Sequence, residues 1–114
     1  MIMADCIFCK IAGKEIPSSI VYEDDKVLAF NDIAPQAPTH ILVIPKIHVA
    51  SLAELKDHSV LSDIFQVVNR LAAEKGIVKT GFRTVINNGR AAGQAVDHLH
   101  IHLLGGREFS WPPG

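Results

Sequence analysis

The sequence predicts an α+β fold: a largely antiparallel sheet of about five strands with one main helix and a short N-terminal helix. Two observations supply the elements: several short apolar runs bounded by turn residues, and one stretch, Ser59 to Lys75, in which apolar residues recur at helical spacing. A third sets the topology. Most connections between consecutive strand-like runs are too short for the crossover that parallel strands need.

Taken in order, Ile7 to Ala12 reads as a short helical turn. Ile20 to Glu23 and Lys26 to Phe30 flank Asp24-Asp25 and read as a hairpin of two short strands. Ile41 to Ile44 is a strand stopped by Pro45, because proline has no N–H for the ladder. In the main helix Val60, Ile64, Val67, Val68 and Leu71 form the apolar stripe, widened by Leu61, Phe65 and Ala72, and Gly76 ends it. Phe82 to Ile86 and His98 to Leu104 are the last two strands, separated by the glycine-containing loop 87–97.

At 114 residues, with neither repeats nor low-complexity tracts, the chain is expected to form a single domain over 1–114. Hydrophobic residues make up 48% and charged residues 20%, enough apolar material for a core and too little charge for a solvated tail. The net charge is −1 without blocks of like charge, so neither duplex nucleic acid nor an anionic membrane surface is an expected partner. The apolar runs are too short to span a membrane and the N-terminus lacks the pattern of a secretory signal, so a cytoplasmic location is expected.

Three of the six histidines fall in the run His98-Leu99-His100-Ile101-His102-Leu103-Leu104. Strand side chains alternate between faces, so the three imidazoles project to one side and Leu99, Ile101 and Leu103 to the other. Packing does not require imidazole three times over. Neighbouring rings also suppress one another's protonation, leaving at least one neutral and nucleophilic. Two chemistries use such a row: metal ligation, or covalent catalysis in which one histidine attacks phosphorus. The preceding loop, Asn87-Asn88-Gly89-Arg90-Ala91-Ala92-Gly93-Gln94, lets backbone N–H groups converge on an anion, although it also suits a long hairpin connection. Cys6 and Cys9 have the spacing that lets two thiolates reach one zinc. A complete site needs further ligands, and two ordinary buried cysteines are the alternative.

The histidine run matches the His-φ-His-φ-His-φ-φ signature of the histidine triad superfamily, where φ is apolar. Ala29-Phe30-Asn31-Asp32-Ile33, Pro35-Gln36-Ala37-Pro38-Thr39-His40, Val43-Ile44-Pro45-Lys46, Gly105-Gly106-Arg107 and Trp111-Pro112-Pro113-Gly114 extend the likeness over nearly the whole chain. Among its branches the chain most resembles the histidine triad nucleotide-binding proteins, which are purine nucleoside phosphoramidases. That resemblance implies the histidine-triad fold and a homodimer sharing one continuous sheet. It also implies hydrolysis of nucleoside 5′-phosphoramidates, with AMP- or GMP-like nucleotides as ligands and a nucleotidyl-histidine intermediate. His100 matches the nucleophile, and His102 and His40 match residues supporting the phosphate end. Asp32 matches a ribose ligand, and Asn87, Gly93 and Gln94 match the phosphate pocket. Ile7, Phe8, Ile16, Phe30 and Ile33 match an apolar base pocket, and each also fits ordinary core.

Members that open with Cys-x-x-C bind a structural zinc, and the resemblance assigns its ligands to Cys6, Cys9, His48 and His98. Four protein ligands leave no place for a reacting water, so no catalytic metal is expected. Two positions depart from the family pattern. Ala95 replaces a common serine in the nucleotide site, removing a hydroxyl near the leaving group, and Asp97 stands where an apolar residue is usual, most simply facing solvent. Two other functions compete: a nucleotide-binding regulator with incidental catalysis, consistent with Ala95, and a metal-dependent enzyme using the three histidines as ligands.

Overall fold

The computed structural model describes residues 5–114. The first four residues of the domain expected over 1–114 lie outside it. A six-residue helix α1 (Ile7–Ala12) precedes strands β1 (Ile20–Glu23), β2 (Val27–Asn31) and β3 (Thr39–Pro45). Helix α2 (Ser59–Glu74) follows, then β4 (Phe82–Val85) and β5 (Ile101–Gly105). Two single 3₁₀ turns, Leu52–Glu54 and Arg90–Ala92, were not expected from the sequence. The strands form one antiparallel sheet in the order β1-β2-β3-β5-β4.

The hairpin between β1 and β2 is held by Asp24, whose Oδ1 accepts from the Lys26 and Val27 N–H groups at 2.7 and 2.8 Å. That side chain supplies a turn where no glycine is available. Helix α2 packs on one face of the sheet, where Ile64, Val67, Val68 and Leu71 meet Val27, Ala29, Ile41, Val43, Ile101 and Leu103. The other face carries α1, with Cys6, Phe8, Cys9 and Ile11 against Leu28, Phe30, Leu42 and Ile44. Strand alternation thus feeds two apolar clusters from the same strands.

Strand β3 is longer than the expected Ile41 to Ile44, and Pro45 is its last paired residue, opposite Val27. The larger correction concerns the histidine run. The strand expected over His98 to Leu104 pairs only from Ile101. Pro45 has no N–H for a further rung, its carbonyl lies 2.8 Å from His98 Nε2, and the Leu99 N–H donates instead to Val49 O at 2.8 Å. Alternation nonetheless persists by packing. Leu99, Ile101 and Leu103 join the α2-side cluster, while the three histidine rings line up on the α1 side.

Candidate active site and metal centre

The three histidines, adjacent along the chain, are held by three different sets of partners. His98 is fully buried. Its Nε2 faces the Pro45 carbonyl, which can only accept, so the ring carries its proton there and turns the Nδ1 lone pair toward Cys6 Sγ at 3.4 Å and Cys9 Sγ at 3.6 Å. His48 completes the cluster, with Nδ1 3.4 Å from Cys9 Sγ. One ligand atom from each of these four residues lies within 4.8 Å of the others. Two sulfurs and two imidazole nitrogens converging in a largely buried pocket have the donor set of a tetrahedral structural zinc centre, and the Pro45 carbonyl fixes the required His98 tautomer from behind. Burial, opposed by the Pro45 hydrogen bond and reinforced by His48 and His100, pushes the His98 pKa down to about 4, so the ring is a neutral donor at neutral pH. The helix α1 that carries Cys9 is capped by Cys6, whose sulfur accepts from the Cys9 N–H at 3.4 Å.

His100 is oriented differently. Its Nδ1–H donates to the His98 carbonyl at 2.7 Å, leaving Nε2 with an unshared lone pair. The edge of Phe8 meets this ring at 5.2 Å and 90°, and Phe8 also meets Phe30 edge to face at 5.4 Å. Phe8 and Phe30 are therefore core residues, and Phe8 also walls the nucleophile candidate.

His102 and His40 form a chain. The Gln36 N–H donates to His40 Nδ1 at 3.0 Å, so neutral His40 carries its proton on Nε2 and donates to His102 Nδ1 at 2.9 Å, with Asp32 Oδ2 3.4 Å away. His102 then carries its own proton on Nε2. Burial lowers both pKa values, that of His102 to about 4 with His100 and His40 reinforcing and Asp32 opposing; for His40, Asp32 opposes the fall. With these tautomers the His98 Nδ1 lone pair faces the cysteines, and the His100 Nε2 lone pair stands beside the Nε2–H of His102.

The remaining candidates fall in different places. Asp32 is half-buried, and its Oδ1 accepts from the Ala34 N–H at 2.8 Å. Asn87 shares a cleft with His40 and His102. Gly93 has φ +90° and follows the 3₁₀ turn of the loop, a conformation that favours glycine. The Gln94 side chain is spent inside the loop: Oε1 accepts from the Gly89 N–H at 2.8 Å, and Nε2 donates to Ala50 O and Val96 O at 2.7 and 3.0 Å. Ile16 packs partly against the α1-side cluster, whereas Ile7 (48% exposed) and Ile33 (98% exposed) are not core. Ala95 lines a separate cleft with Cys6, Ile7 and His48, and Asp97 beside it is exposed. Sequence reading missed the Pro45 carbonyl and the Gln36 N–H, because backbone groups leave no residue-type signal.

The HIT domain model matches residues 13–109. The chain belongs to the HIT domain family. An uncharacterized HIT-like protein of Synechococcus elongatus is 56% identical over 112 residues, covering 96% of this chain and 97% of that one. The 14 kDa zinc-binding protein of Zea mays is 51% identical over 112 residues (95% and 87% covered), and the adenylylsulfatase HINT1 of Arabidopsis thaliana is 49% identical over 112 (95% and 76% covered). Among solved structures, a HIT family hydrolase from Legionella pneumophila superposes with a TM-score of 0.94 at 48% identity, over 96% of this chain and all of that one. A histidine triad nucleotide-binding protein from Candida albicans gives 0.82 at 40% identity, over 96% and 85%. The HIT fold, a five-stranded antiparallel sheet with a main and a short helix, is thus the fold of this chain. Its Cys6, Cys9, His48 and His98 cluster accords with the zinc-binding names of HIT relatives from two plants.

Proposed function

We propose that this HIT protein hydrolyses the P–N bond of purine nucleoside 5′-phosphoramidates through a nucleotidyl intermediate on His100. The observation carrying this reading is the His100 Nδ1–H bond to the His98 carbonyl, which leaves Nε2 as the nitrogen available to attack. In the first step Nε2 attacks phosphorus, a P–N bond to His100 forms, and the bond to the amine breaks. The departing nitrogen takes up one proton from solvent, and the His102 Nε2–H, positioned by His40 and Asp32, hydrogen-bonds the phosphoryl oxygens as charge builds there. Water then attacks phosphorus and gives one proton to solvent, the bond to His100 breaks, and a nucleoside monophosphate leaves. Related proteins described as a HIT family hydrolase, an adenylylsulfatase and a nucleotide-binding protein support hydrolysis at a nucleotide phosphorus.

In this reading Asn87, Gly93 and the backbone around Gln94 and Ala95 line the phosphate, and Asp32 holds the ribose. Phe8, Phe30, Ile7, Ile16 and Ile33 provide the apolar flank for the base. Cys6, Cys9, His48 and His98 would hold zinc, which supplies cross-linking of α1 to the histidine run and takes no part in the chemistry. The reading also includes a single domain over 1–114, a homodimer and a cytoplasmic location. β4 stands at an edge of the sheet, where a second copy can extend it. No helix among the described residues is long and apolar enough to cross a membrane. A metal-dependent reaction through all three histidines is not favoured, because His98 faces the cysteines while His102 faces His40. Single-turnover mixing with an adenosine phosphoramidate, acid-free quenching and peptide mass spectrometry test the proposal. A nucleotidyl group on His100 is expected, and turnover without any adduct on that residue would refute the covalent route.

A further inference from the structure

We infer that Arg83 and Arg107 form an anion subsite for the leaving group, selecting amines that carry a carboxylate close to the scissile nitrogen. Strand register places Arg83 beside the reacting histidines. Arg83 pairs with Leu104, which pairs with His40, and the neighbouring row on the same face is Val85, His102 and Leu42. The chain after β5 then turns back over this row. Gly106 makes the turn at φ +90°, where a Cβ would stand 2.9 Å from Pro38 Cβ.

The turn delivers Arg107 and Phe109 to Arg83. Both guanidinium groups lie over the Phe109 ring, Arg107 at 4.2 Å and Arg83 at 5.0 Å from its centroid. Backbone carbonyls anchor them: Arg107 donates from Nε to Gln36 O and from Nη1 to Glu108 O, both at 2.8 Å, and Arg83 donates from Nη2 to Ser110 O at 3.0 Å. Among the described residues neither has a carboxylate within 4.0 Å. A cleft of about 220 Å³ joins these two cations to His40, His102 and Asn87, and no acidic side chain lines it. Two fixed guanidinium groups lining one cleft without a carboxylate partner leave positive charge there that an anion would offset, and their planar forks match a carboxylate.

The subsite is wired to the site. Arg107 holds the Gln36 carbonyl, and the Gln36 N–H fixes His40, which fixes His102. Given the nucleotidyl-histidine reading, on which this inference rests, the P–N bond to the amine breaks as His100 Nε2 bonds phosphorus. The nitrogen takes one proton, and the free amine departs with its carboxylate still ionised. A sulfate leaving group presents the same oxyanion chemistry.

The test compares adenosine 5′-phosphoramidates of one amino acid as the free carboxylate and as its methyl ester, with adenylyl sulfate as a separate arm. Wild-type kcat/KM is expected to favour the carboxylate by about tenfold or more, the size of a charge-assisted pair. Raising ionic strength should narrow that preference. Arg107→Gln and Arg83→Gln should each reduce the carboxylate-to-ester ratio, and Arg107→Lys should keep more of it than Arg107→Gln. Because the ratio is taken within each variant, a general loss of folding or rate does not imitate the effect. Equal turnover of acid and ester by wild type, or a ratio unmoved in both glutamine variants, overturns the subsite while leaving the nucleotidyl reading intact. Turnover of adenylyl sulfate with no acid preference among the phosphoramidates assigns the cations to sulfate and overturns the carboxylate assignment. Absence of both turnover and a His100 adduct with every compound overturns the two readings together.

Discussion

His98 faces two centres at once: its ring Nδ1 lies 3.4 Å from Cys6 Sγ, and its backbone carbonyl accepts the His100 Nδ1–H at 2.7 Å. The residue that closes the metal cluster therefore also sets the tautomer of the residue proposed to attack phosphorus. Phe8, carried by the helix between the two cysteines, touches both rings, at 6.0 Å for His98 and 5.2 Å for His100.

His100→Ala is expected to abolish turnover while retaining nucleoside monophosphate binding. The change removes the Nε2 lone pair but leaves Asp32, Asn87 and the loop backbone in place. Calorimetric titration with AMP or GMP, beside the activity assay, checks this. Near-normal turnover in the variant would remove His100 from the nucleophile role.

Gln94→Ala is expected to destabilise the fold by about 2–4 kcal/mol, since burial leaves the groups it served without partners. Denaturant unfolding of the variant measures the loss. Nucleotide affinity should fall with it, because the same amide sets the shape of the loop. Gln94→Glu should not rescue, since a carboxylate cannot donate to Ala50 O and Val96 O. Unchanged stability in the alanine variant would show that the loop is held by its backbone alone.

Much of this arrangement was legible in the sequence. Helix α2 ran at 3.6-residue spacing and stopped before Gly76, as expected, and α1 coincided with Ile7 to Ala12. Alternation correctly separated Leu99, Ile101 and Leu103 from the histidines. The length of the last strand was not legible, because its pairing ends where Pro45 offers no N–H and Leu99 finds Val49, a tertiary event. Gln94 illustrates a second gap: its residue type suits a phosphate ligand or a loop brace equally, and only its partners in space distinguish them. Arg83 and Arg107 illustrate a third, being 24 positions apart in number and brought together by Phe109.

The pH dependence of stability should carry a signature of His102. Its folded pKa is about 4 against 6.5 for an unperturbed imidazole, so between those values the unfolded chain holds a proton that the folded chain does not. Its contribution is full above about pH 6.5 and is lost as the pH falls toward 4, on the order of 2–3 kcal/mol at most. His98 shares this sign in metal-free protein, so the measurement is a difference between wild type and His102→Asn. Denaturant unfolding at pH 7.5 and pH 5 should show wild type losing more than the variant. Equal losses would mean that His102 is protonated in the folded chain.

Purified protein prepared with zinc supplied and without chelators should hold about one zinc per chain, with sulfur and nitrogen ligands visible by X-ray absorption. Thiolates and neutral imidazoles are the ligands, so acidification should release the metal, and Cys6→Ser with Cys9→Ser should abolish its uptake. Removing zinc leaves sulfur–nitrogen contacts of 3.4–3.6 Å among Cys6, Cys9, His48 and His98 in place of metal–ligand bonds. The melting temperature should fall by several degrees, because a six-residue helix is too short to hold itself and the metal would cross-link it to the histidine run. Catalysis should fall less than stability, since the His98 carbonyl and the Pro45 bond remain. A zinc content near zero, or a double variant that melts with the zinc-supplied wild type, would exclude the cluster as a metal centre.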